Sequence, residues 1–265
     1  MCIRDRFQVA SRFPEFPVAV CEDRITGATR LIKDHSPTII VLDDAFQHRK
    51  IQRDLDLVMI DCARPPHRDW LLPAGRLREG QGGLKRAHQL IFSKYKDANQ
   101  LQEAQSAMAS NWPDLPQMVM DLKPIALHRF EAPNAALSLE DIKDKKVVAF
   151  SGIGNNKHFH AMLNYLGADV AQFFHFPDHF TYTKADIEKI LGTFEALKEI
   201  KGKLRPALIL TTEKDYFRLK QLPWMADFTD YPLAFIRVGM DAKQGWTQLE
   251  QKIKEITRER IQGEN

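Results

Sequence analysis

Apolar residues in this chain come in short unbroken runs, and several stretches between the runs repeat apolar positions at helical spacing. Residues 17–20 (PVAV), 38–42 (TIIVL), 57–60 (LVMI) and 89–92 (QLIF) read as strands, with 118–122 (MVMDL) as a fifth. Residues 24–33 read as a helix. Unbroken apolar runs bounded by polar turns suit strands covered on both faces, as in a mostly parallel sheet with helices on each side. The fold class is therefore α/β.

A break in regular structure falls at 123–145, where Pro124, Pro133 and Asn134 are followed by the charge run 141–146. The chain is expected to divide into domains at 1–125 and 126–265, the second a smaller α/β domain. It opens with a strand at 146–150 and the turn 151–156 (SGIGNN). The next helix has Phe159, Met162, Leu163 and Leu166 on one face and Gly167 as its stop. A strand is expected at 169–175. Thr183 and Asp186 form a capping box, in which hydroxyl and carboxylate satisfy each other's free backbone N–H groups. It starts a helix that turns Ile187, Ile190, Leu191, Phe194 and Leu197 inward. Strands follow at 207–210 and 233–238. The last helix is expected to bury Trp246, Leu249, Ile253 and Ile256.

In parallel sheets ligands gather outside the carboxyl ends of the strands, and polar clusters stand at several of these ends. VLDDAFQHRK (41–50) places Asp43 and Asp44 after a strand, with Gln47 and His48 close behind. Mg²⁺ prefers oxygen ligands and keeps several waters, so two carboxylates can suffice; a turn cap and a solvated carboxylate are the plainer reading. In LLPAGRLRE (71–79), Arg76 and Arg78 can grip phosphate, or Arg78 can merely pair with Glu79. Gly152 and Gly154 lie between strand and helix, where backbone N–H groups can hold an anion or simply make a tight turn. FPDHF (176–180) sets Asp178 beside His179, a pair suited to acid–base chemistry or to solvent. In TTEKD (211–215), Thr212 and Asp215 fit a second capping box. His158 and His160 lie off the apolar helix face and read as solvated. Asp61 and Lys94 complete the polar groups at strand ends.

Composition changes this picture little. The chain has 265 residues, 44% hydrophobic and 28% charged, as in ordinary globular proteins. A net charge of +3 gives no sign of a nucleic-acid partner. No apolar run nears the ~20 residues needed to span a bilayer. Cys2, Cys21 and Cys62 are scattered, without metal spacing, and fit reduced thiols in the cytoplasm.

Taken in order, these segments resemble the tetraacyldisaccharide 4′-kinase (lipid A 4′-kinase) family. The matching stretches are VLDDAFQHR, RDLDLVMID, LLPAGRLRE, LKRAHQLIFSK, FSGIGN, FPDHF and TTEKD. The resemblance implies a P-loop-kinase-like sheet and transfer of the ATP γ-phosphate, with Mg²⁺, to the 4′-hydroxyl of an acylated glucosamine disaccharide 1-phosphate. It implies a peripheral place at the cytoplasmic face of the inner membrane for the full-length protein, and no nucleic acid. It makes Asp43 and Asp44 the metal-side acidic pair, with Gln47 and His48 beside them at the cofactor. Arg78 and Glu79 become active-site residues near the phosphates, and His179 the histidine that works with an upstream aspartate.

The sequence also departs from the family. No GxxxxGK[ST] loop occurs, and Arg4, Asp5 and Arg6 occupy the place of the Gly-Asp-Glu-Pro stretch that carries the family's catalytic aspartate. Ala45 replaces a glycine common in the family's DDGFQH motif. MCIRDR resembles translated sequencing adapter, so residues 1–6 are expected to be artefactual and the chain an N-terminally truncated kinase with little or no activity. The alternatives are a non-catalytic acyl-disaccharide or nucleotide binding module, and a metal-dependent glycosyltransferase.

Overall fold

The structure is a computed structural model that describes residues 3–198 and 206–263. In chain order its elements are α1 (Ile3–Arg12), α2 (Arg24–His35), β1 (Leu57–Asp61), β2 (Gln89–Ser93), α3 (Ala98–Asn111), β3 (Gln117–Arg129), β4 (Ala136–Leu137), β5 (Lys146–Ser151), α4 (Asn156–Tyr165), β6 (Asp169–His175), α5 (Lys184–Lys198), β7 (Leu208–Thr212), α6 (Glu213–Leu219), β8 (Leu233–Gln244) and α7 (Trp246–Gly263). They form two compact units. The β5 unit is Met1–Val18 with Lys123–Gly239, and the β1 unit is Ala19–Leu122 with Met240–Asn265. The chain passes from one to the other between Val18 and Ala19, within β3 and again within β8.

In the β5 unit, β6, β5, β7 and β8 run parallel, with β5 flanked by β6 and β7. Alternate residues of a strand face opposite sides, and both faces of β5 and β7 are apolar. One carries Val147, Ala149, Leu208 and Leu210 against Phe159 and Leu163 of α4. The other carries Val148, Phe150 and Ile209 against Ile187, Ile190, Leu191 and Phe194 of α5. Truncating Phe150 or Phe194, each fully buried, would cost roughly 3–5 kcal/mol. Asn155 caps α4 by accepting from the His158 backbone N–H at 3.0 Å, and Gly167, at φ +80, ends it. Thr183 and Asp186 form the expected reciprocal cap of α5.

In the β1 unit, β1, β2 and the start of β3 are parallel, in register from Leu57↔Gln89 to Asp61↔Ser93 and from Leu90↔Gln117 to Phe92↔Val119. Ala104 and Met108 of α3 cover Ile60, Leu90 and Phe92. Leu249 of α7 covers Ile91 and Met118 on the opposite face.

Several expectations are corrected. Residues 17–20 and 38–42 are not strands but irregular chain, and Val41 is 88% exposed. A strand needs a neighbour for its backbone groups. β1 is an end strand that pairs with β2, and neither run adds to it among the described residues. That edge leaves Leu57 and Met59 half exposed rather than covered. β3 and β8 continue well past 122 and 238, and Pro124 lies inside β3. Trp246 at the start of α7 is exposed, since Leu249 and Ile253 already make the inward stripe.

Candidate active site

Because 38–42 is not a strand, the acidic pair does not sit at a strand end. Side-chain links fix the segment instead. Residues 45–49 form a turn, with the His48 N–H donating to the Ala45 carbonyl at 2.9 Å. Arg53 holds the following stretch by donating to the His48 carbonyl and the Asp56 carboxylate, both at 2.6 Å. Asp44 adopts the left-handed conformation, φ +51, which an aspartate tolerates better than most residues. Ala45 is buried and keeps a negative φ, so a methyl in place of glycine meets no backbone strain there.

The 71–79 loop grips this turn at two points. Arg78 Nη1 lies 3.4 Å from Asp44 Oδ2. Glu79 accepts from Gln47 Nε2 at 3.1 Å and from Arg49 Nη2 at 3.2 Å. Both its oxygens also accept from Arg86 Nη2, at 2.8 and 2.9 Å, and the Arg86 guanidinium lies over the Phe46 ring. Arg78 therefore pairs with Asp44 and not with its neighbour Glu79. Burial pushes the Glu79 carboxyl up, but the hydrogen bonds from Arg86, Gln47 and Arg49 outweigh it and hold the group below the usual carboxylate range. Arg86 and Arg49 were not foreseen in these roles. Spacing gave no signal for them: Arg49 lies 30 residues before Glu79 and Arg86 seven after it.

Asp43 and His48 lie exposed on the same segment, and their side chains have no partner among the described residues. At the carboxyl ends of β1 and β2, Lys94 Nζ donates to Asp61 Oδ2 at 3.0 Å. The structure thus brings Asp44, Gln47, Arg78 and Glu79 together. Two exposed carboxylates without a third ligand fit Mg²⁺, which keeps most of its waters. Glu79, already saturated by donors, does not fit as a ligand.

His179 stands in the β5 unit, on the loop after β6, at φ +58. Its Nε2 is 3.8 Å from Asp178 Oδ2, and Phe176, Phe180 and Tyr182 pack their rings around the loop. Beneath it lies a buried polar cluster. Arg218 Nη1 donates to Asp215 Oδ1 at 2.9 Å, and Arg218 Nη2 lies 3.9 Å from Asp178 Oδ1. Asp215 Oδ2 accepts from the Gly152 N–H at 3.1 Å and from Thr212 Oγ1 at 2.7 Å. The Gly152 N–H is thus occupied. TTEKD is more than a cap: its aspartate joins the loops after β5 and β7. His160 is not simply solvated, since it stacks on Phe173.

The β1 unit carries carboxylates and arginines on its loops, and the β5 unit a histidine–aspartate loop after β6; carboxylates and cations of this kind are what phosphotransferases use. The chain belongs to the tetraacyldisaccharide-1-P 4′-kinase family, whose family model matches residues 6–258. It is 34% identical over 253 residues to the tetraacyldisaccharide 4′-kinase of Chlorobaculum tepidum, covering 94% of this chain and 68% of that one. It is 33% identical over 225 residues to that of Phocaeicola vulgatus, covering 83% and 60%. A crystal structure of LpxK from Aquifex aeolicus in complex with ATP matches with a TM-score of 0.68 and 25% identity, covering 96% of this chain and 69% of that one. Members of this family are kinases, and the fold is P-loop-kinase-like. No described helix is long and apolar enough to cross a membrane.

Proposed function

We propose that the chain serves ATP-dependent phosphorylation of the 4′-hydroxyl of an acylated glucosamine disaccharide 1-phosphate, at the cytoplasmic face of the inner membrane. The observation that carries this reading is the double link of the 71–79 loop to the Asp43–Asp44 turn, in a chain matched by the kinase family from 6 to 258.

Asp43 and Asp44 would hold Mg²⁺, which when bound neutralises charge on the transferred phosphate. Arg78 holds Asp44 in place and, by exchanging partners, can meet a phosphate oxygen. Glu79 orients Gln47 and Arg49. His179, with Asp178 behind it, is suited to receive or steady the proton of the reacting hydroxyl. P-loop enzymes cradle the triphosphate in a glycine-rich loop with a lysine. This sequence contains none, so its residues account for the metal and acceptor sides only.

The test combines binding and transfer. The chain should bind the acylated disaccharide 1-phosphate. Any label moved from γ-labelled ATP should appear on the 4′ oxygen, and Asp44→Asn or His179→Asn should reduce it at least tenfold. Binding of a nucleotide sugar with no binding of the acylated disaccharide would overturn the reading. Binding of the disaccharide without transfer, in this chain and in one extended by a GxxxxGK[ST] segment, would favour the binding-module alternative.

A further inference from the structure

SGIGN (151–155) and TTEKD (211–215) have no part in the chemistry above, yet both close on one buried side chain, that of Arg218. Its Nη1 donates to the Gly152 carbonyl and to Asp215 Oδ1. Asp215 is fully buried and is itself fixed by the Gly152 N–H and the Thr212 hydroxyl. With Nη1 pinned on two acceptors and the guanidinium planar, the direction of Nη2 is set as well. Nη2 is buried and has no hydrogen-bond partner among the described residues. Asp178 Oδ1 lies 3.9 Å from it. A buried charged donor left unpaired is costly, so the guanidinium draws the Asp178 carboxylate toward it.

Asp178 joins this buried cation to His179. Its Oδ1 accepts the His179 backbone N–H at 2.9 Å, and its Oδ2 lies 3.8 Å from His179 Nε2. His179 sits at φ +58, a conformation that a residue other than glycine keeps only where its surroundings hold it. Room for the carboxylate is left by Gly154, where a Cβ would lie 3.0 Å from Asp178 Oδ2. The Arg218 side chain is 4% exposed and that of Asp178 44%. One end of the link is thus dry and fixed in the core, and the other stands on a loop that meets solvent.

We propose that Arg218 is a positioning residue. Anchored on Asp215 and the Gly152 carbonyl, it holds Asp178, and through Asp178 the His179 imidazole, in the place where the reacting hydroxyl arrives. The assignment rests on the kinase reading above, in which His179 meets that hydroxyl, and deepens it. A cation serving the fold alone would need only Asp215 and Gly152. A lysine ammonium could pair with Asp215, but as a point charge on a flexible stem it could not also aim a second donor at Asp178.

The experiment is a proton–nitrogen correlation spectrum of the histidine rings of the whole chain at one fixed pH, the His179 signals being those lost in His179→Asn. Asp178→Asn should displace them, and Arg218→Lys should displace them by at least half as much. Gly154→Ala, which crowds the Asp178 carboxylate and meets no atom of Arg218, should displace them too. Arg218→Lys keeps a cation beside Asp215, so its melting temperature should fall far less than that of Arg218→Met. The proposal is overturned if the His179 signals stay in place in Arg218→Lys or in Asp178→Asn. A displacement shared by the His128 and His160 rings would mark general loosening and overturn it as well. In the label-transfer assay Arg218→Lys should lower kcat about tenfold or more with KM for ATP unchanged, the mark of a misplaced group rather than lost binding. A wild-type kcat in Arg218→Lys, where His179→Asn abolishes transfer, overturns the positioning role. If His179→Asn leaves transfer unchanged, the kinase reading of this loop fails, while the ring spectrum still decides the link from Arg218 to His179.

Discussion

Arg218 and Asp215 form an ion pair at 2.9 Å, with side-chain exposures of 4% and 0%. Removing one partner of such a pair strands a charge in the interior, which typically costs about 3–5 kcal/mol, whereas the net worth of the intact pair is much smaller. Arg218→Met should therefore lower stability by roughly 3–5 kcal/mol in urea unfolding, and Asp215→Asn by a comparable amount. The double variant should lose less than the sum of the two. Additive losses would show that the two side chains act independently.

Glu79 gives an acid-sensitive link. Its carboxyl lies below the usual range in the folded protein, because Arg86, Gln47 and Arg49 outweigh burial. A depressed carboxyl contributes stability above its unfolded value of about 4.3. That contribution disappears as pH falls through the folded value. Melting temperature measured from pH 7 to pH 3 should drop more steeply in wild type than in Glu79→Gln below about pH 4.5. Parallel curves would remove Glu79 from the acid response.

His128 acts with the same slope for a different reason. It is buried and stacked on Phe235, with ring centroids 5.1 Å apart. Burial, aided by the positive charge of Arg237, holds its pKa below the usual imidazole value. The unfolded chain then binds the extra proton first, so stability is full above about pH 6.5 and falls as pH drops below it. His128→Phe should flatten the stability profile below about pH 6.5 while keeping the stack. A profile unchanged by the substitution would place the proton elsewhere.

Gly75 is held by its surroundings. A Cβ built there would lie 2.2 Å from the Trp70 carbonyl oxygen and 2.4 Å from Asp69 Oδ1. Gly75→Ala should open the 70–77 loop, speeding hydrogen exchange at Leu72 and Leu77 at least tenfold while the amides of β2 stay protected. Unchanged exchange in the loop would mean that its backbone has room to shift.

Local signals read well from the sequence wherever one element sets its own pattern. The strand at 169–175 was legible from its own residues, as were the capping box of Thr183 and Asp186 and the stop at Gly167. Residues 38–42 misled because an apolar run is only a strand when a neighbour accepts its backbone, and no periodicity reports that neighbour. The crossing of β8 between units carries no proline or polar break to mark it. Within the candidate site, the acidic and basic residues were visible as clusters. Their partners were not: Arg78 bypasses Glu79, one position away, to reach Asp44, 34 residues earlier. Side-chain pairing of that kind follows from loop geometry, which spacing does not encode.

The left-handed backbone of Asp44 bears on how this motif can drift over evolutionary time. The conformational demand rests on residue 44, so residue 45 is released from it and answers only to the space around a buried methyl. Exchange of glycine and alanine at 45 is then a near-silent step, open in either direction. In this chain the left-handed turn depends on the aspartate at 44 and makes no such demand of residue 45.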